Sequence, residues 1–175
     1  MAGDGEGAAS AGPVRPPIAL AFATVGFIAL TIFGLGITSL VLAEDVIATP
    51  GLGQIPGAAG VVCATLAFAG GLWAAIARAG SPSSRTSAGS PHPSYWGAAW
   101  TTAAAFLAYI GGVWFAALFT GADLGVATAV AGRLATSWFG VSVAAAAFVS
   151  AWAGIALVRT RAHRPRWPWE DEFDE

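Results

Sequence analysis

The chain has 175 residues, of which 56% are hydrophobic and 10% charged, with a net charge of −2 at neutral pH. With its 23 glycines counted as apolar the share rises to roughly 69%, where a soluble domain has about 45–50%. A mean hydropathy of +0.67 excludes a disordered chain, the single cysteine Cys63 excludes a disulfide scaffold, and so few charges cannot solvate a greasy globule. The small net charge argues against nucleic acid or another strongly charged partner. What remains is an integral membrane protein.

The chain lacks lysine and asparagine, has one glutamine (Gln54), and carries only arginine as its basic side chain. With the excess of alanine and glycine, this bias points to GC-rich codons and a GC-rich bacterium.

Residues 1–16 form a short N-terminal tail, expected to be disordered and cytoplasmic. A crossing helix needs about 20 mostly apolar residues. The run 16–43, between Arg15 and Glu44, has no charge and predicts a first span over 17–43. Val41-Leu42-Ala43 would suit a signal-peptide cleavage site, but the run is too long for a signal h-region and only Arg15 precedes it. After the Pro/Gly-rich loop Thr49-Pro50-Gly51-Leu52-Gly53-Gln54, a second span covers 55–78. The segment 80–93 reads as a Ser/Pro/Gly linker. A third span covers 94–120, residues 121–133 form a loop, and a fourth span covers 134–158. Continuous rather than alternating hydrophobicity makes these helices, not barrel strands. The fold class expected is all-α: a four-helix transmembrane bundle of two antiparallel hairpins.

Placing both termini in the cytoplasm puts seven arginines inside and only Arg133 outside, as the positive-inside rule requires. Trp73, Tyr95, Trp96 and Trp100 then fall near inner helix ends and Trp138 near an outer one, whereas Trp114 and Trp152 lie deeper and need partners for their indole N–H groups. Small residues recur every four positions: Cys63, Ala67, Gly71 and Ala75 on the second span, Ala104, Ala108, Gly112 and Ala116 on the third, Ser142, Ala146, Ser150 and Gly154 on the fourth. Such stripes allow close helix approach in lipid. A faint echo between residues 45–51 and 123–128 is no more than chance produces.

Short of the boundary residues Arg78 and Tyr95, the spans hold no ionisable acid, base or histidine; their inner polar groups are Ser, Thr, Tyr109, Trp N–H and Cys63. A proton relay, which needs titratable groups inside the membrane, has no candidate here. His92, between two prolines, and His163, among arginines, lie outside the spans and have no neighbours at metal-ligand spacing. Cys63 is expected to be a small buried hydrophobe. Neither metal, cofactor nor catalytic residue is indicated, and an enzyme is not expected.

Two polar clusters stand out. Glu44, Asp45, Asp123 and Arg133 are all predicted at outer helix ends, either as a vestibule for a cation or partner, or as end anchors with one Asp123–Arg133 pair. The tail, residues 159–175, is basic, then alternates Trp with Pro, then ends with five acids around Phe173. Its Arg164, Arg166, Trp167, Trp169 and Phe173 suit lipid headgroups or a docking partner.

The lysine-free four-span layout, the Glu44-Asp45 outer loop and the Arg-Pro-Arg-Trp-Pro-Trp-Glu segment (164–170) resemble small integral membrane proteins of unknown function from actinobacteria. That resemblance implies no activity and transfers no functional residue. The expectation is a multi-pass protein of the bacterial cytoplasmic membrane, both termini inside. Its role is structural or accessory, and its partners are the lipid bilayer and either a second copy or another membrane protein. The alternative is permeation or binding of a small molecule or ion without proton coupling.

Overall fold

The computed structural model describes residues 15–47, 53–79 and 95–159. Pro16 and Pro17 open α1 (Pro16–Leu42), where the missing amide hydrogens cost nothing and the fixed φ favours a helical start. Arg15 before them is extended, as a residue preceding proline prefers. α1 ends at Ala43, which takes the left-handed conformation (φ 52°), with its own amide and that of Glu44 both donating to the Ser39 carbonyl.

The second helix, α2, runs Ile55–Ala79 and the third, α3, runs Tyr95–Phe119. Gly121 (φ 93°) stops α3: its amide donates to Leu118 O and that of Ala122 to Ala117 O, the paired bonds of a glycine-closed helix end. The segment expected as a loop over 121–133 is instead largely a helix, α4 (Leu124–Thr136). It is capped by Asp123, whose carboxylate accepts from the Val126 amide at 2.9 Å. Ala127, Val130, Ala131 and Leu134, at helical spacing, bury one face of α4 in the bundle. A single non-helical residue, Ser137, separates α4 from α5 (Trp138–Arg159). The bend there is sharp enough that a Cβ on Gly140 would stand 2.5 Å from the Leu134 carbonyl oxygen. The last long helix thus starts at Trp138 rather than at 134.

Among the described residues there are five helices, of which four, α1, α2, α3 and α5, are long and apolar enough to cross a membrane. Their closest pairings are α2 with α3 and α1 with α5, rather than consecutive α1 with α2. Both close pairs are antiparallel. Across the first, Gly60 faces Gly112 and Gly71 faces Thr101; a Cβ on Gly112 would lie 2.9 Å from Cys63 Cβ and 3.0 Å from Gly60 Cα. Across the second, Gly154 faces Ala23 and Gly34 faces Ser142, and the Thr38 and Ser142 hydroxyls bond at 2.8 Å. α1 and α2 meet through the stacked rings of Phe27 and Phe68, with centroids 4.5 Å apart.

The small-residue stripes fall at these contacts with adjustments. On α5, Ala146, Ser150 and Gly154 are buried and Ser142 half-buried. On α3 Gly112 is buried, while Ala104, Ala108 and Ala116 are half-buried beside the fully buried Thr101, Ala105, Tyr109 and Val113. On α2 the buried register is one position on, at Ala64, Phe68, Leu72 and Ile76. Cys63, expected to be buried, is exposed at the edge of the α2–α3 seam.

Candidate functional site

Of the described charged side chains, Arg15 and Arg78 lie at one end of the bundle, and Glu44, Asp45, Asp123 and Arg133 lie at the other. The acidic end gathers the last turn of α1, the first turns of α2, the end of α3 and all of α4. Arg133 Nη2 donates to Glu44 Oε2 at 2.7 Å, joining α4 to the exit of α1. Both side chains are about half exposed (45% and 54%), so the pair contributes about 1 kcal/mol or less.

The Asp123–Arg133 pair considered from the sequence does not form. Once 124–136 is helical, ten residues at about 1.5 Å each hold Asp123 and Arg133 roughly 15 Å apart at opposite ends of α4. Asp123 instead satisfies the start of its helix. The echo between 45–51 and 123–128 also dissolves over its described residues: Asp45 leads into a turn, Asp123 into a helix.

Asp45 lines a cleft of about 540 Å³ between α1, α2 and α3. Leu35, Val46, Ile47, Ala58 and Val61 form apolar walls, and Ser39 and Gln54 add polar atoms. Ser39 is already engaged, its hydroxyl donating to the Glu44 carbonyl at 2.7 Å. Tyr109 is at the inner end, more than two helical turns in from the end of α3. Its side chain is fully buried and its hydroxyl has no hydrogen-bond partner. Gly60 makes room for it, since a Cβ there would be 3.1 Å from the Tyr109 ring and 2.6 Å from Val113 Cγ2. A smaller groove of about 250 Å³ lies beyond the Val46-Ile47 wall, against Val126, Val130 and Arg133 of α4.

Below the cleft the interior is filled by Phe27, Phe68, Leu72 and Ile76. Thr31 and Ser150 hydroxyls are buried there without partners. Trp114 donates its indole N–H to Thr128 of α4 at 3.2 Å, meeting the need anticipated for a deep tryptophan. Trp152 is instead exposed on the helix surface. Among the described residues no group of three or more His, Cys, Asp or Glu side chains is placed to hold a metal ion.

Sequence reasoning named Asp45 but missed the residues that build its cleft. Leu35, Val61 and Tyr109 come from three helices whose pairing hydropathy does not reveal; the one available signal was Tyr109, the lone tyrosine deep in a span. The tail residues Arg164, Arg166, Trp167, Trp169 and Phe173, and both histidines, lie outside the described residues.

No curated protein and no solved structure matches the chain. A family model does match, over residues 17–175, from the second residue of α1 through the other described helices to the C-terminal tail. The chain belongs to that family, the family of unknown function DUF6121.

Proposed function

We propose that this protein is a non-conducting accessory component of the bacterial cytoplasmic membrane, with both termini inside, that works by packing against another membrane protein or a second copy of itself. One observation carries the reading: Gly36, Gly70 and Gly111 have nothing within 4 Å of where a Cβ would be. A glycine on an outward helix face weakens the helix by about 1 kcal/mol relative to alanine and packs nothing within the chain. In lipid, bare backbone of this kind suits the close approach of another helix. The inward glycines Gly60, Gly112 and Gly154 are, by contrast, used within the bundle.

The closed interior supports the non-conducting part of the reading, because the stacked Phe27–Phe68 pair and Leu72 fill the space between helices. The tail fits the same role, its arginines suited to anionic headgroups and its Trp-Pro and acidic portions to a cytoplasmic surface.

Purification in mild detergent tests the reading. The native chain is expected to retain a stoichiometric partner or dimerise, and Gly70→Leu with Gly111→Leu to abolish that association while leaving the monomer folded. A monomer with no partner, unchanged by the double substitution, would overturn it. Orientation is checked separately: a cysteine at Ala129, in a Cys63→Ser background, should react with an impermeant maleimide on spheroplasts, and one at Ser84 only after lysis.

A further inference from the structure

The bundle leaves one deep tryptophan without a partner. Trp114 donates its indole N–H to Thr128, but Trp152 has no acceptor among the described residues and is 39% exposed on the outward face of α5. It stands seven residues from Arg159 at the inner end of α5 and fourteen from Trp138 at the outer end, about 10 and 21 Å along the axis. Helical side chains tilt toward the helix N-terminus, here the acidic end, so the indole is carried away from the inner headgroups. Hydrocarbon offers an N–H nothing to bond, and an unmatched donor there is unfavourable. Trp96 and Trp100 avoid this, because α3 starts at the inner end and tilts both toward the headgroups.

The same chain carries a seat for that donor at the same depth. α2 and α5 both run inward from the acidic end, and a Cβ on Gly154 would lie 3.1 Å from Leu72 Cδ2, which sets the two helices in register. Two residues back from this contact stand Trp152 on α5 and Gly70 on α2. Gly70 has nothing within 4 Å of where its Cβ would be, and it lies between the exposed Leu66 and Trp73. Bare backbone of this kind leaves the adjoining helix carbonyls within reach, each with a lone pair that the helix does not use. Within one chain the two cannot meet. α5 packs on α1 and α3, α2 packs on α3 and α1, and α2 and α5 face outward from opposite corners.

We propose that copies of this protein associate head to tail in the membrane, Trp152 of one copy seated on Gly70 of the next with its indole N–H bonded to a helix carbonyl there. The inference rests on the accessory reading and names its partner as a second copy. Copies inserted in one orientation join only surfaces of equal depth, and Trp152 and Gly70 meet that condition. Because the two surfaces differ and point apart, the contact is not two-fold: each added copy presents a fresh tryptophan and a fresh glycine, and the assembly closes as a ring or extends as a row.

The test is energy transfer between differently labelled full-length chains in phosphatidylcholine liposomes over a range of protein-to-lipid ratios. The native chain is expected to self-associate. Trp152→Phe, which keeps a ring but loses the N–H, should weaken association about threefold, and Trp152→Ala about tenfold or more. Gly70→Leu should abolish it. Trp152 is exposed, so the unfolding midpoint in detergent should stay native in both of its variants. Arrangement is read by disulfide trapping in a Cys63→Ser background, with cysteines at Phe148 and Leu66, each one turn outward from the proposed contact. Chains carrying one should cross-link to chains carrying the other, and neither should cross-link to itself. No self-association, native association in Trp152→Ala, or Phe148→Cys chains that cross-link to one another would each overturn the proposal. A foreign partner that is released by Gly70→Leu with Gly111→Leu, in a chain that shows no energy transfer with itself, would overturn it and leave the accessory reading standing.

Discussion

The seams between the helices and the acidic end of the bundle are built on opposite principles. Along the seams, glycines bring backbones together: Gly60 against Gly112 and Gly154 against Ala23 leave no room for a single added carbon. At the acidic end the helices spread around a cleft, and contact is made by side chains, a Glu44–Arg133 pair and a capping Asp123. Close packing in lipid gains from dispersion summed over many atoms, so it tolerates no intrusion. Contacts at the watery end are few, polar and individually weak. Substitutions at the seam glycines should therefore be severe and those of the polar side chains at the acidic end mild.

The largest effect is expected at Gly60. Gly60→Leu drives a branched side chain into Val113 and the Tyr109 carbonyl and should destabilise the protein by about 3 kcal/mol, read as a fall in the detergent unfolding midpoint. Gly70→Leu, one helix face away with open space around it, should leave that midpoint unchanged. Equal sensitivity at the two positions would erase the distinction between inward and outward glycines.

Gly140→Ala comes next. Its methyl group would meet the Leu134 carbonyl, so the α4–α5 bend must open, at a cost of about 1–3 kcal/mol. Because that bend sets α4 across the end of the bundle, the same substitution should break the Glu44–Arg133 link, seen as lost disulfide formation between cysteines placed at 44 and 133. Asp123→Ala, which removes only a cap, should cost about 1 kcal/mol and show as faster hydrogen exchange in the first turn of α4. Smallest of all, Glu44→Gln should cost under about 1 kcal/mol, and the difference from the native chain should shrink in high salt.

The same contrast explains what was legible in the sequence. Lipid imposes a long apolar run on every span, so the four long helices are visible from hydropathy alone. Helix α4 obeys no such demand. It is short, it carries Arg133, and its alanines and glycines blur the periodicity of Ala127, Val130 and Leu134, so a charge-bounded count reads it as loop. The small-residue stripes marked the right helices and, on α5, the right face, but abundant alanine left the register on α2 one residue out. The four-residue polar set at the acidic end was visible, but its pairing was not. Which acid Arg133 meets depends on where α4 lies, and that is decided by a glycine-dependent bend at Ser137 and by contacts far apart in the chain.

The central claim is a bundle open to water at its acidic end and sealed from Tyr109 inward. Thiol accessibility measures this directly, through reaction rates of single cysteines, in a Cys63→Ser background, with a small water-soluble thiosulfonate in liposomes. Cysteines at Ala58 and Val61, which line the cleft, should react quickly; those at Ala64, Ala105 and Ala147, fully buried beyond it, should react only when the protein unfolds. Rapid reaction at Ala64 or Ala105 in the folded protein would reveal a water path through the middle and contradict the account.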